Sequence, residues 1–303
     1  MEIKNIINTI RYKLRYGSTV EWYNFWYIVL QRKQKVIPHI ESIDETIRKI
    51  VEENCSISRF GDGEILLTIC KRIGFQEDNP ELAKRLIEVI KSKNEKHLVC
   101  ISDTFSDLNR FSRSARRFWR THFYLYGYLW DNYLVPERTY YNTFVTRPYM
   151  DYASKKESEG WFLKLKNIWN DRDIVFIEGE KSRLGVGNDL FNNARSIRRI
   201  LCPACNAFNS YDKIINEALK IEKEALFLIA LGPTATILSY DLYKAGYQAI
   251  DAGHVDIEYE WFKLKAKKKI KLPLKYVNES PNGKNVNKII GYPYYEQIIS
   301  KII

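Results

Sequence analysis

Residues 59–64 read Arg-Phe-Gly-Asp-Gly-Glu. Asp62 and Glu64 flank one glycine, and Gly61 stands just before them. Two carboxylates on so short a loop repel unless a cation or donor lies between them. Mg²⁺ and Mn²⁺ take such oxygen ligands and keep positions open for water and phosphate oxygens. The glycines permit a tight turn and close approach of a ligand to the backbone. The plainer alternative is an Asp-Gly turn with solvated carboxylates, which a D-x-E pattern alone does not exclude.

Three further loops carry candidate groups. Residues 178–189, Glu-Gly-Glu-Lys-Ser-Arg-Leu-Gly-Val-Gly-Asn-Asp, offer Lys181 and Arg183 to phosphates, with Gly185 and Gly187 freeing backbone N–H groups. They match neither the P-loop nor G-x-G-x-x-G, and a solvated basic loop explains them as well. Residues 231–236, Leu-Gly-Pro-Thr-Ala-Thr, place Gly232 and Thr234 at a helix start suited to an anion, or to simple capping by Thr234. Residues 251–261, Asp-Ala-Gly-His-Val-Asp-Ile-Glu-Tyr-Glu-Trp, pack His254 among acids. If they are helical, Asp256 and Glu260 share a face. One acid could serve as general base and His254 as a ligand or phosphate donor; the alternative is a solvated acidic helix start. Tyr259 and Trp261 suit stacking on a sugar or base, or burial in a core.

These loops need a scaffold, and the pattern between them supplies one. Ser56–Phe60, His97–Ser102, Asp173–Glu178, Ile197–Leu201, Ala225–Leu231 and Tyr247–Asp251 read as strands, mostly apolar without polar alternation. Helical periodicity marks Ile40–Asn54, Pro80–Lys93, Leu108–Arg120, Tyr211–Glu224 and Pro233–Ala245. Asn79 caps the second of these, with Pro80 in its first turn. Continuous apolar strands with helices between them predict an α/β sandwich with a mostly parallel sheet, covered on both faces. Ligands of such sheets lie at the carboxyl ends of the strands, where all four loops fall.

Composition narrows the function classes. Of 303 residues, 45% are hydrophobic, enough for a buried core and too many for a disordered chain. No apolar run approaches the roughly 20 residues of a membrane span, and no signal peptide is expected at the N-terminus. Five cysteines, with one C-x-x-C at Cys202 and Cys205, form no disulfide framework or zinc ribbon and fit a reducing cytoplasm. The net charge of +11 is concentrated at the ends: +5 in residues 1–38 and +8 in residues 263–303, leaving −2 between them. That placement argues for contact with an anionic surface such as lipid headgroups, at the inner face of a membrane, rather than for nucleic acid. Ile3, Ile6, Ile7 and Ile10, then Trp22-Tyr23-Asn24-Phe25-Trp26-Tyr27, make the first segment an amphipathic, aromatic extension that suits a membrane interface or packing on the body. There is no G-x-S-x-G, no H-E-x-x-H, and only four histidines.

Taken together, R-F-G-D-G-E at 59–64, R-L-G-V-G-N-D-L-F at 183–191, S-I-R-R-I-L-C-P-A-C-N-A-F at 196–208, L-G-P-T-A-T at 231–236 and D-A-G-H-V-D-I-E-Y-E-W at 251–261 resemble the bacterial GT-D glycosyltransferases. The resemblance implies a Rossmann-like fold of its own type, a nucleotide-sugar donor, a divalent metal, and action on bacterial surface glycans or glycoproteins. The family's D-x-E motif falls on Asp62 and Glu64, the expected metal ligands. Expected donor-binding residues are Arg59, Gly61, Arg183, Gly185, Asn188, Gly232, Thr234 and His254; Asp256, Glu258 and Glu260 are the base candidates. The resulting expectation is a Mn²⁺- or Mg²⁺-dependent hexosyltransferase using a UDP-sugar, with an N-terminal extension (1–44), a catalytic domain (45–277) and a polar basic tail (278–303). The competing readings are a membrane-recruited scaffold of a glycan assembly complex and a metal-dependent phosphohydrolase.

Overall fold

The computed structural model describes residues 17–30, 35–288 and 293–302. Its frame is a nine-stranded sheet in which every pairing is parallel. In chain order the strands are β1 (His39–Ile40), β2 (Ser56–Phe60), β3 (His97–Ile101), β4 (Thr139–Asn142), β5 (Asp173–Gly179), β6 (Ser196–Cys202), β7 (Leu226–Ala230), β8 (Gln248–Asp251) and β9 (Ile298–Lys301). Their spatial order is β1-β4-β3-β2-β8-β7-β5-β6-β9. The pairing of β2 with β8 joins an early half of the chain to a late one, and the order reverses there. That switch point is where a crevice opens at the strand ends.

The strands are apolar because both sheet faces are covered. On β5, Ile174 and Phe176 enter one core layer and Val175 and Ile177 the other; Leu228 and Ile229 on β7 divide the same way. Burying one such side chain stabilises by about 1.5–3 kcal/mol. The helices are α1 (residues 17–29), α2 (Ile43–Glu52), α3 (Asp62–Leu67), α4 (Pro80–Lys91), α5 (Arg113–Tyr133), α6 (Ser158–Lys166), α7 (Tyr211–Ala218), α8 (Pro233–Lys244) and α9 (Val255–Lys263). Asn79 Oδ1 caps α4, accepting from Glu81 N and Leu82 N at 2.9 and 3.1 Å.

Two segments depart from expectation. The helix expected over Leu108–Arg120 begins at Arg113, capped by Ser112, and runs on to Tyr133 because Phe123, Leu129 and Trp130 continue its buried stripe. The tail from 278 is integral to the fold: β9 pairs with β6, and Tyr294 is buried. The expected helix around Ile3–Ile10 lies outside the described residues. Among the described residues no helix is long and apolar enough to cross a membrane, and all five cysteines are free thiols.

Candidate active site

At the carboxyl ends of β2, β3, β4, β5, β6, β7 and β8 lies a cleft of about 1020 Å³. At its centre β2 turns directly into α3. Gly61 is the N-cap, with Asp62 and Glu64 in the first turn. Glu64 Oε2 accepts from Gly61 N at 2.8 Å, so this carboxylate holds the turn closed. Both acids line the cleft. Burial pushes the Asp62 carboxyl up, with Arg147 opposing. Burial also pushes Glu64 up to about 7, and repulsion from Asp251 and Asp62 adds to it. A paired negative charge disfavoured in this way is one that a cation would relieve. Among the described residues no group of three or more His, Cys, Asp or Glu gathers around a common point. The chain therefore offers two carboxylates, a donor set that fits Mg²⁺ or Mn²⁺ completed by water and phosphate oxygens.

Beside this turn, Arg59 is fixed by Asp251. Its Nε donates to Asp251 O at 2.9 Å and to Oδ1 at 3.2 Å. Asp251 is itself held by Thr236 Oγ1 at 3.2 Å. The rest of the guanidinium lies against Gly253, whose φ is +46°; a Cβ there would fall 1.7 Å from Arg59 Nη2. Neither Nη atom has a hydrogen-bond partner among the described residues, and Arg59 lines the cleft. Gly232 plays a similar part on the other side: its φ is +55°, and a Cβ would meet the Phe75 ring at 2.6 Å.

One wall is an ionic cluster that the sequence did not announce. Arg147 Nη2 donates to both carboxylate oxygens of Glu279 at 2.8 Å, and Lys269 also pairs with Glu279. Burial alone would raise the Glu279 carboxyl, but Arg147, His254 and Lys269 outweigh it and hold the group well below the usual range. His254 Nε2 sits 3.4 Å from both Asn278 Oδ1 and Glu279 Oε1. Burial and the nearby Arg147 push the ring down to about 4, so it is neutral near pH 7. Lys267 and Lys268 line the cleft, as do Phe118, Trp119 and Tyr152. Glu279 lies in the stretch expected to be a polar basic tail; its signal in the sequence is a lone acid among lysines. Arg147, within Thr-Arg-Pro, left no trace in the pattern.

Of the expected donor-binding residues, Arg59, Gly61, Gly232 and His254 line the cleft, and Arg183, Gly185, Asn188 and Thr234 do not. Arg183 reaches away, donating to Leu274 O and Asn287 O at 3.0 and 2.6 Å. Gly185 N and Asn188 Nδ2 both donate to Asp256 Oδ1, at 3.0 and 2.8 Å. Thr234 is fully buried in α8, and Gly232, not Thr234, is the N-cap.

The three base candidates sit on α9, and Asp256 and Glu260 do share a face. Asn188 donates to both, and buried Lys275 pairs with both. Asp256 lines the cleft, but each of its oxygens is already an acceptor. Glu258 is fully buried; its Oε2 accepts from Tyr149 N and Met150 N at 3.1 and 2.7 Å, and burial pushes it up to about 7. It thereby positions the segment that carries Arg147. Neither Glu258 nor Glu260 lines the cleft. Tyr259 and Trp261 belong to the core, their polar ends bonded to Asp189 and Ile270 O.

The family model described as the glycosyltransferase GT-D fold matches residues 57–280. This chain belongs to the GT-D glycosyltransferases. Over 263 residues it is 41% identical to a probable glycosyl transferase of Streptococcus gordonii, covering 86% of this chain and 38% of the relative. Over 268 residues it is 40% identical to the glycosyltransferase GlyD of Streptococcus pneumoniae serotype 4, covering 88% and 33%. The chain thus spans about a third to two fifths of the curated relatives it matches. Among solved structures, a domain described as having a distinct glycosyltransferase fold superposes with TM-score 0.84 and 41% identity, over 88% of this chain and 96% of that one. A glycosyltransferase from Streptococcus sanguinis gives TM-score 0.84 and 38% identity, over 88% and 100%. The all-parallel GT-D sheet accounts for the position of the cleft, and the D-x-E turn lies at its centre.

Proposed function

We propose that this GT-D domain transfers a hexose from a UDP-sugar to a saccharide acceptor of a bacterial surface glycan or glycoprotein, and that it works in the cytoplasm. The observation that carries the reading is the meeting, at the switch point of a parallel sheet, of two charge-disfavoured carboxylates and a guanidinium with unpartnered Nη atoms. A diphosphate would neutralise that guanidinium, and a divalent cation would neutralise the carboxylates. Asp62 and Glu64 are the residues that would hold Mn²⁺ or Mg²⁺, which when bound supplies Lewis-acid stabilisation of phosphate charge. Arg59 faces the same charge, which grows on the departing nucleotide, and its fixed position avoids reorganisation cost in the transition state. Glycine at 232 and 253 leaves room for the Phe75 ring and the Arg59 guanidinium, which lets those side chains take their places in the cleft wall. Phe118, Trp119 and Tyr152, rather than Tyr259 and Trp261, supply aromatic faces for a sugar ring. The cleft volume is large enough for donor and acceptor together.

Turnover of UDP-sugars by the purified chain, with and without Mn²⁺, tests this. Wild type should release UDP only with a divalent ion, and Asp62→Ala and Glu64→Ala should each lose at least about 100-fold. Full activity in both variants, or metal-independent turnover, refutes the assignment. Release of inorganic phosphate instead of UDP establishes the phosphohydrolase reading in its place.

A further inference from the structure

Helix α1 faces the wrong way for a helix that merely caps the body. Its polar Asn24 is buried, with Nδ2 donating to Arg117 O at 3.1 Å and Thr121 Oγ1 at 3.0 Å. Tyr23 stacks on Tyr124 of α5, and Glu21 pairs with Arg117 at 2.6 Å. Its large apolar side chains point outward: Trp22 is 57% exposed, Phe25 55% and Val29 50%. Spacings of three and four residues put them on one stripe, and Trp26 joins it through edge contacts with Trp22 and Phe25 at 5.5 Å. Beside that stripe, α5 carries Arg113, Arg116, Arg117 and Arg120 at helical spacing. Of these only Arg117 is ion-paired among the described residues. The same helix turns Phe118, 47% exposed, into the mouth of the cleft.

We propose that the α1–α5 ridge docks on an anionic lipid bilayer and so places the mouth of the cleft at the membrane surface. Tryptophan and phenylalanine flanked by arginine suit the headgroup boundary. The charge of the ridge selects the occupant: Arg113, Arg116 and Arg120 have no acidic partner among the described residues, so attraction to anionic lipid acts at this surface. Exposed aromatics on α1 and guanidiniums on α5 together supply the apolar and the cationic contacts that an anionic lipid interface takes. The inference stands on this surface alone and does not depend on the reaction proposed above.

Sedimentation of the full chain with vesicles tests it, comparing phosphatidylcholine alone with mixtures containing phosphatidylglycerol. Each basic residue near an anionic surface is worth about fivefold in affinity, so binding to the mixed vesicles should be stronger by about 100-fold and fall with salt. Combining Trp22→Ser, Phe25→Ser and Val29→Ser should weaken it at least about tenfold. Arg113→Gln, Arg116→Gln and Arg120→Gln together should remove most of the preference for anionic lipid. Both variants change outward-facing residues, so an unchanged circular dichroism spectrum and melting temperature show that they fold. Equal affinity for both vesicle types, or unaltered binding by the apolar variant, overturns the proposal. So does a lipid-free dimer that the apolar variant converts to monomer, because a second copy would then cover the ridge.

Discussion

Replacing Gly253 by alanine separates two effects that usually travel together. The added Cβ would sit 1.7 Å from Arg59 Nη2, on a backbone with φ of +46°. A flexible arginine would swing aside at little cost. Arg59 is not free to do so, because its Nε is tied to Asp251 O and Oδ1 at 2.9 and 3.2 Å. The backbone strain of a left-handed non-glycine residue is about 1–2 kcal/mol, and loosening the Arg59–Asp251 contacts adds to it, so Gly253→Ala should lower stability by more than that amount. Displacing the guanidinium from the cleft forfeits a charge-assisted contact with phosphate worth about 1.5–3 kcal/mol, or about 10- to 150-fold in kcat/KM. The check is donor turnover under saturating Mn²⁺ beside a urea melt of the same sample. Arg59→Ala should match the activity loss without the backbone strain, and adding Gly253→Ala to it should cost little further activity. Wild-type kcat/KM in Gly253→Ala would refute the role given to Arg59.

Three further outcomes follow from the buried charges. Glu64 and Glu258 are pushed up to about 7 in the fold from an ordinary value near 4.5. The folded chain then binds more protons than the unfolded one between those values, so metal-free stability should fall as pH rises from about 4.5 to 7. Thermal melts should show that slope, Glu64→Gln should reduce it to the part due to Glu258, and a divalent ion should stabilise more at pH 8 than at pH 5.5; a flat metal-free profile contradicts it. Arg199 and Glu178 form a pair with 2% and 0% side-chain exposure, and Arg199 also bonds Leu184 O and Gln297. Arg199→Ala should therefore cost about 3–5 kcal/mol in urea unfolding, and a loss under 1 kcal/mol would show the charge is not committed there. Asp256→Ala leaves buried Lys275 without its closest partner and should lower the melting temperature. If stability is instead unchanged while kcat collapses, Asp256 is the general base after all.

The sheet was legible because its signal is local. Runs such as Ala225–Leu231 and the Asn79–Pro80 helix start declare themselves within a few residues, and β2, β3 and β5 fall within about one residue of their predicted bounds. Strand β4, Thr-Tyr-Tyr-Asn, was missed because four residues with one apolar face differ little from a loop. The site divides along the same line. Arg59, Asp62 and Glu64 sit on one strand-to-helix turn, so the sequence displays them side by side. Arg183, Asn188 and the acids of α9 lie at strand ends too, but a strand end does not fix which way a side chain points. There the structure spends the charges on Asn188, Lys275 and backbone carbonyls. Arg147 and Glu279 meet across 132 residues of chain, a juxtaposition that only the topology creates.

The pairing of β2 with β8 also bears on biosynthesis. Arg59 and its anchor Asp251 are 192 residues apart. At about 5–20 residues per second on the ribosome, the early half waits roughly 10–40 s for its neighbouring strand. Until then the cleft lacks its Gly253 floor, and β2 presents an open edge. A nascent chain is thus catalytically silent and open to mispairing over the same interval, which makes the emergence of β8 the moment when both conditions end.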